Sequence, residues 1–269
     1  MIPVLVKELR TRMRGWRTPA VLTIYLLVLG IVCYLVLQLN LNNSSFNNNT
    51  NQASRVGITL FDGLAILQMI LIVFITPAST AAAISGERQR QTLDLLLVTR
   101  LSSLGITMGK LIAALAFDLL LILCSLPIFS LVFLFGGVGP DQVAEVFLLF
   151  VMTVLLFGSL GLLVSVLMQK ANTATVVTYV LVLGSTLGLG LATVYFEAVG
   201  MTIGAGATPL PLTAYFDPAF ALAAALPQSE STVSFGFDFQ IWQVDILASA
   251  AISVICVALS AVLLRQSRA

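Results

Sequence analysis

Six apolar stretches divide the chain, and its polar residues gather between them. The stretches lie near Pro19–Leu41, Ile58–Ile84, Leu104–Phe135, Val143–Met168, Thr173–Phe196 and Ile241–Leu264. About 20 apolar residues in helical form cross a hydrocarbon core, and backbone polar groups there must be satisfied within the segment. Each stretch meets that length. The pattern predicts an all-α polytopic membrane protein with six transmembrane helices, residues 1–269 forming a single transmembrane domain. A composition 59% hydrophobic and only 9% charged, with mean hydropathy +1.05, leaves little room for a soluble alternative.

Charge sets the orientation. Lys7, Arg10, Arg12, Arg14 and Arg17 precede the first span. Arg88, Arg90, Arg100 and Lys110 lie between or just inside spans two and three, Lys170 separates spans four and five, and Arg265 and Arg268 follow span six. The opposite loops hold Arg55 against Asp62, Asp141, Glu145, Glu197, Asp217, Glu230, Asp238 and Asp245. Lys and Arg excess marks the cytoplasmic side, so the N- and C-termini are both expected in the cytoplasm. An even number of spans agrees. The expected location is the cell membrane, multi-pass, and the cytoplasmic membrane if the source is bacterial.

Residues 1–18 predict an amphipathic helix. Ile2, Leu5, Leu9, Met13 and Trp16 share one face of a helical wheel, and Lys7, Arg10, Arg14 and Arg17 occupy the other. Such a helix lies in the interface with its basic face toward anionic lipid. Pro19 would mark the turn into the membrane. A plain topology signal is the alternative reading. The apolar run after it is too long for a signal peptide and has no small-x-small cleavage site before its end, so it reads as a retained first span.

Several chemistries lose their usual residues. The chain has no histidine, which removes His-based acid–base catalysis, Ser-His-Asp triads and most zinc sites. Cys33, Cys124 and Cys256 all fall inside predicted spans and read as small apolar packing. A net charge of +1 gives no sign of nucleic acid as a partner. No G-x-x-x-x-G-K-[ST] occurs, and Gly105–Lys110 lacks the following Ser or Thr, so the chain has no phosphate loop of its own. It is not expected to be an enzyme or to bind a cofactor or metal.

The outer loops differ in kind. Asn42–Ser54 is a low-complexity Asn/Ser tract whose Asn-x-Ser/Thr matches arise readily in such a run. Gly136–Pro140 reads as a short turn. Residues 198–240 form a long external segment in which Asp217 and Pro218 open a short helix, as N-cap and N1 proline, that Pro227 stops. Phe235, Phe237, Phe239 and Trp242 follow as an aromatic cluster suited to the interface. The segment reads either as helical material dipping into the outer leaflet or as a surface loop.

The most informative inner segment spans residues 85–103. On a helix, Glu87–Arg90 and Arg90–Asp94 are i,i+3 and i,i+4 pairs, each contributing a few tenths of a kcal/mol. Leu93, Leu96, Leu97 and Arg100 share a face, and Ser102 or Ser103 can cap span three. Physical chemistry alone predicts a short amphipathic helix along the cytoplasmic surface, resting on lipid, on the protein's own helices or on a soluble partner. The run Glu87…Thr92-Leu93-Asp94-Leu95-Leu96…Leu101-Ser102…Gly109-Lys110 resembles the second cytoplasmic element of ABC-2 type transporter permeases. Gln91 stands where that family often has glycine, and Arg100 where it often has proline. The resemblance covers motif detail over this segment and architecture over nearly the whole chain.

That resemblance implies a coupling helix between spans two and three, seated on a separate ATPase subunit. Its contact residues would be Glu87, Arg88, Arg90, Thr92, Asp94, Leu96, Leu97 and Arg100. ATP and Mg would then bind the partner subunit, and a second permease chain, identical or a sister, would complete the pathway alongside membrane lipid. Export is the direction the resemblance implies. An ion-gradient-driven secondary transporter or channel is the alternative; it needs several ionisable sites within the membrane. An intramembrane enzyme would need paired carboxylates at that depth. Asp118 is the single charge the sequence places clearly inside a span, about 12 Å beyond Lys110 at 1.5 Å per residue. It reads either as a pathway or interface residue, or as a carboxyl bonded to a neighbouring helix.

Overall fold

The computed structural model describes residues 16–43, 51–89, 91, 103–199, 216–227 and 241–266. Every regular element among them is helical: α1 (Arg17–Asn43), α2 (Asn51–Thr80), α3 (Ser85–Gln89), α4 (Ser103–Ser130), α5 (Val132–Phe135), α6 (Pro140–Leu167), α7 (Ala171–Val199), α8 (Pro218–Ala225) and α9 (Ile241–Gln266). Six candidate spans result, Thr18–Asn40, Ala53–Gln89, Leu104–Phe135, Pro140–Leu167, Ala171–Tyr195 and Trp242–Leu264. They match the six apolar stretches to within a few residues at nearly every end. The largest difference is at span two, which runs on through a broken turn to Gln89. The amphipathic segment before Trp16 lies outside the described residues, as does most of the external segment 198–240, including Phe235, Phe237 and Phe239 of the aromatic cluster; Trp242 lies in α9.

Helix α6 is the axis of the bundle. It packs against α2, α4, α7, α8 and α9, and 61% of its span window is buried, against 17% for α1. Its sequence explains this. Lipid tails are as apolar as leucine, so helices associate through close packing and polar contacts rather than through water exclusion. Gly158 and Gly161 supply the closeness, since a Cβ on Gly161 would collide with the Thr80 side chain and one on Gly158 with Leu115. Gly184 and Gly188 on α7 have nothing within 4 Å of the same position, so these two glycines make no such contact among the described residues.

Two ends can be told apart by which loops meet. At one, Gly57 on α2 lies against the Gly136 carbonyl, and Gly137 lies against the Ser54 backbone. Gly136 and Gly137 have φ of 73° and 93°, the left-handed region where a side chain would clash. They make the expected turn, after which Pro140 opens α6 and Gly139 N–H donates to Gln142 Oε1 at 3.2 Å. Beneath it, Phe129 meets Phe61, Phe147 and Phe150 edge-to-face, with centroids 5.9, 5.1 and 6.5 Å apart. At the other end the α2–α3 connection meets the end of α6 and the start of α7.

Short helix α8 turns one face into the bundle. Ala221 and Leu222 are buried, and α8 touches α2, α6, α7 and α9. Asp217 caps it, accepting the Ala219 N–H at 3.0 Å, and the helix ends before Leu226 and Pro227.

The same substitution at two glycines separates packing from propensity. Gly161→Ala should lower the thermal unfolding midpoint in detergent, at a cost of about 1–3 kcal/mol from overpacking against Thr80. Gly184→Ala, with open space around it, should leave the midpoint unchanged or raise it.

Candidate functional site

Proline inside α2 sets up the break that the site is built on. Pro77 has no N–H to donate to the preceding turn. Around it the hydroxyls turn back onto the helix, Thr80 Oγ1 donating to Thr76 O at 2.8 Å and Ser79 Oγ lying 2.9 Å from the same carbonyl. After Thr80 the chain leaves α geometry for one turn, with Ala83 N–H bonding Thr80 O, and resumes as α3 at Ser85.

That turn strips two amides of their usual carbonyl partners in a buried place. Ser165 of α6 replaces both. Its Oγ accepts from Ile84 N–H at 2.9 Å and from Ser85 N–H at 3.0 Å, and donates to Ser85 Oγ at 3.2 Å. A buried amide left unsatisfied costs about 1–3 kcal/mol, so one hydroxyl holds the break in its observed shape.

Helix α3 is fastened at two further points. Glu87 Oε1 lies 2.6 Å from Lys110 Nζ, on the second turn of α4. Lys110 is only 2% exposed and Glu87 29%. Beyond it, Gln89 Oε1 accepts the Ala171 N–H at 3.3 Å, satisfying one orphan donor at the start of α7. Five residues of chain are thereby tied to spans three, four and five at once. Gln91, just past α3, has φ of 57°. That left-handed conformation favours glycine, which fits the family's frequent glycine at the matching place.

Of the residues singled out from sequence, Glu87 and Arg88 lie in α3. Arg90, Thr92, Asp94, Leu96, Leu97 and Arg100 lie outside the described residues. Asp118 is far from α3 along α4, 3% exposed, and its Oδ2 accepts from Ser79 Oγ at 2.9 Å. It therefore ties α4 to α2 two residues past Pro77. Near the same kink Tyr179 of α7 donates to the Phe74 carbonyl at 2.7 Å. Sequence reasoning missed Ser165, Gln89 and Tyr179, which carry no motif. Lys110 carried a signal, being a cation inside an apolar run, but its partner was not legible.

Asp118 shares burial with other charged residues. Lys110, Asp217 and Asp245 are buried as well, at 2%, 1% and 1% exposure. Asp217 caps α8, which packs against α9, the helix of Asp245. A half-open apolar cleft of about 340 Å³ lies beside α8, between α2 and α7, lined by Met69, Val73, Leu183, Thr186, Leu187 and Leu222 among others.

Comparison with known families meets this architecture directly. The family described as ABC-2 family transporter protein matches residues 2–268. The chain belongs to that family. It is a transmembrane transporter subunit of the ABC-2 permease type, a multi-pass membrane protein. No curated protein matches the chain. In this permease α3 opens the 85–103 segment that carries the family resemblance.

The Glu87–Lys110 pair should respond asymmetrically to mutation. Glu87→Gln strands a buried ammonium and should cost the permease about 3–5 kcal/mol. Lys110→Met removes the more deeply buried partner and leaves the less buried Glu87 side chain, so it should cost less, and the double variant should recover most of the loss. Thermal unfolding of the three proteins in detergent checks this. Gln91→Gly should stabilise the permease by about 1 kcal/mol, because the left-handed conformation then carries no Cβ penalty.

Proposed function

We propose that this permease exports an unidentified substrate, driven by ATP that a separate ABC ATPase subunit binds with Mg and hydrolyses. The observation that carries the reading is the fastening of α3 by Lys110, Ser165 and the Ala171 amide. A soluble partner pushing on α3 moves the starts of α4 and α7 and the end of α6 together, because none of these ties stretches without losing a bond. Glu87 then acts inside the permease, carrying force to α4. Arg88, Arg90, Thr92, Asp94, Leu96, Leu97 and Arg100 remain the proposed contacts on the ATPase.

In this reading the basic loops and both termini face the cytoplasm, the first 18 residues form the interfacial elbow, and two permease chains flank the pathway. The apolar cleft between α2 and α7 suits an apolar or amphipathic substrate. Pro77 and the turn after Thr80 supply the place where span two bends. A second reading, transport driven by an ion gradient, draws support from the buried Asp217 and Asp245. The family match favours the first.

Co-expression with candidate ATPase subunits, followed by pull-down in mild detergent and an ATP hydrolysis assay, tests the proposal. The expected result is a bound P-loop ATPase, released or uncoupled by Arg90→Glu and by Leu96→Asp while the permease stays folded. Glu87→Ala should keep the ATPase bound but uncouple hydrolysis from the permease. A folded permease that retains no ATPase overturns the reading, and ion-dependent flux by this chain alone would replace it.

A further inference from the structure

The break after Thr80 falls in a stretch whose local sequence favours helix. Residues 81–84 read Ala-Ala-Ala-Ile, with alanine the strongest helix former and neither glycine nor proline among them. Pro77 acts on the turn that precedes it, and α2 continues past it to a last bond from Ala81 N–H to Pro77 O at 3.0 Å. Ala82 is exposed, and its N–H makes no bond to the Ala78 carbonyl. A local preference overruled in this way marks a place where tertiary contacts decide.

The deciding contact is a relay of two serines. In an unbroken α-helix Ile84 N–H would donate to Thr80 O, and Ser85 N–H to Ala81 O. Here both amides donate to Ser165 Oγ, at 2.9 and 3.0 Å. Ser165 O–H donates to Ser85 Oγ at 3.2 Å, and Ser85 O–H donates in turn to Ala81 O at 3.0 Å. The Thr80 carbonyl takes the Ala83 N–H instead, at 3.0 Å. Ala81, Ile84, Ser85 and Ser165 are fully buried. Gly161, one turn before Ser165, lets α6 approach Thr80 closely enough for so short a side chain to reach the turn.

Of the three ties on α3, this one has a replacement within its own helix. If Ser165 withdraws, the Ile84 and Ser85 amides find Thr80 O and Ala81 O, and Ala82 N–H finds Ala78 O. The freed Ser165 hydroxyl turns back onto α6, as Ser159 Oγ does by donating to Leu156 O at 2.8 Å. Neither form leaves these buried donors without an acceptor, so the two lie close in energy.

We propose that Ser165 is a positioning residue for α3, and that residues 81–84 form a two-state turn whose broken form it holds. With Ser165 engaged, α2 and α3 are separate helices. With Ser165 withdrawn they join into one, and α3 turns against its ties to α4 and α7. A slide of α6 therefore resets α3, and a push on α3 reaches α6 through the same bonds. The role in transport rests on the ATP-driven reading above; the exchange of bonds does not.

Hydrogen–deuterium exchange of the full chain in lipid nanodiscs, resolved to single amides, reads the turn without any ATPase. Ser165→Ala should slow exchange at Ala82 by about tenfold, while Ile84 and Ser85 stay protected, because the joined helix takes up all three amides. Ser85→Ala frees the Ala81 carbonyl and should slow Ala82 by a smaller factor; it carries the test if Ser165→Ala fails to fold. Ser165→Thr keeps the hydroxyl and should keep the wild-type pattern. Faster exchange at Ile84 with Ala82 unchanged in both alanine variants would overturn the proposal, since the break is then fixed and Ser165 a simple cap. No change at any of these amides would overturn it as well. In the co-expressed complex, Ser165→Ala should leave the ATPase bound but uncouple its hydrolysis, and Ser165→Thr should restore the coupling. Intact coupling beside slowed Ala82 exchange would overturn the positioning role, whereas absence of any bound ATPase would sink only the ATP-driven reading.

Discussion

Backbone amides and carbonyls in an apolar bundle have no water to fall back on, and that constraint shapes every irregular feature of this permease. Where the helices run straight they satisfy themselves. Where one breaks, a side chain from another helix takes over the orphaned group. Ser165 serves the turn after Thr80, Gln89 serves the start of α7, Tyr179 donates to a carbonyl beside Pro77, and Asp217 caps α8. Each replacement is also an interhelical tie or positions one. The breaks in the permease are consequently its best-connected places.

This bears on how motion passes through the molecule. A straight helix between two solvent-exposed loops transmits little sideways force to its neighbours. Helix α3, by contrast, is too short to be stable alone and depends on Lys110, Ser165 and Ala171 for its position. Moving it must either move α4, α6 and α7 or break bonds in a buried place. The close approach of α6 to α2, allowed by Gly158 and Gly161 beside Thr80, makes that group still harder to deform piecemeal. Helices α1 and α7, the least buried, keep broad apolar faces such as Leu187, Leu191 and Val194 open to lipid or to another chain.

The buried charges follow the same logic with different outcomes. Lys110 has a carboxylate within contact distance and Asp118 has a hydroxyl, so both are settled by neighbours on adjacent helices. Asp217 caps α8 through the Ala219 N–H, and Asp245 is buried near the start of α9. A charge at this depth is retained only where something compensates it.

Periodicity and length determined the spans, because a run of about 20 apolar residues has essentially one low-energy form in a bilayer. Charge bias gave the expected orientation, and local chemistry gave the turn at Gly136 and the cap at Asp217, since proline, glycine and aspartate act on their own backbone neighbours. The family resemblance was legible for the same reason: its residues are close in sequence. What stayed hidden was every partnership between distant positions. Ser165 reads as one more small residue in an apolar run, yet it holds a break 80 positions earlier. Glu87 read as a surface ion-pairing residue and became an internal strut to Lys110. Asp245 read as an outer-loop acid and is buried against a helix that the loop tucks inward. Backbone preferences act over one turn and are written locally; which side chain faces which across a bundle is fixed only when all the helices have packed.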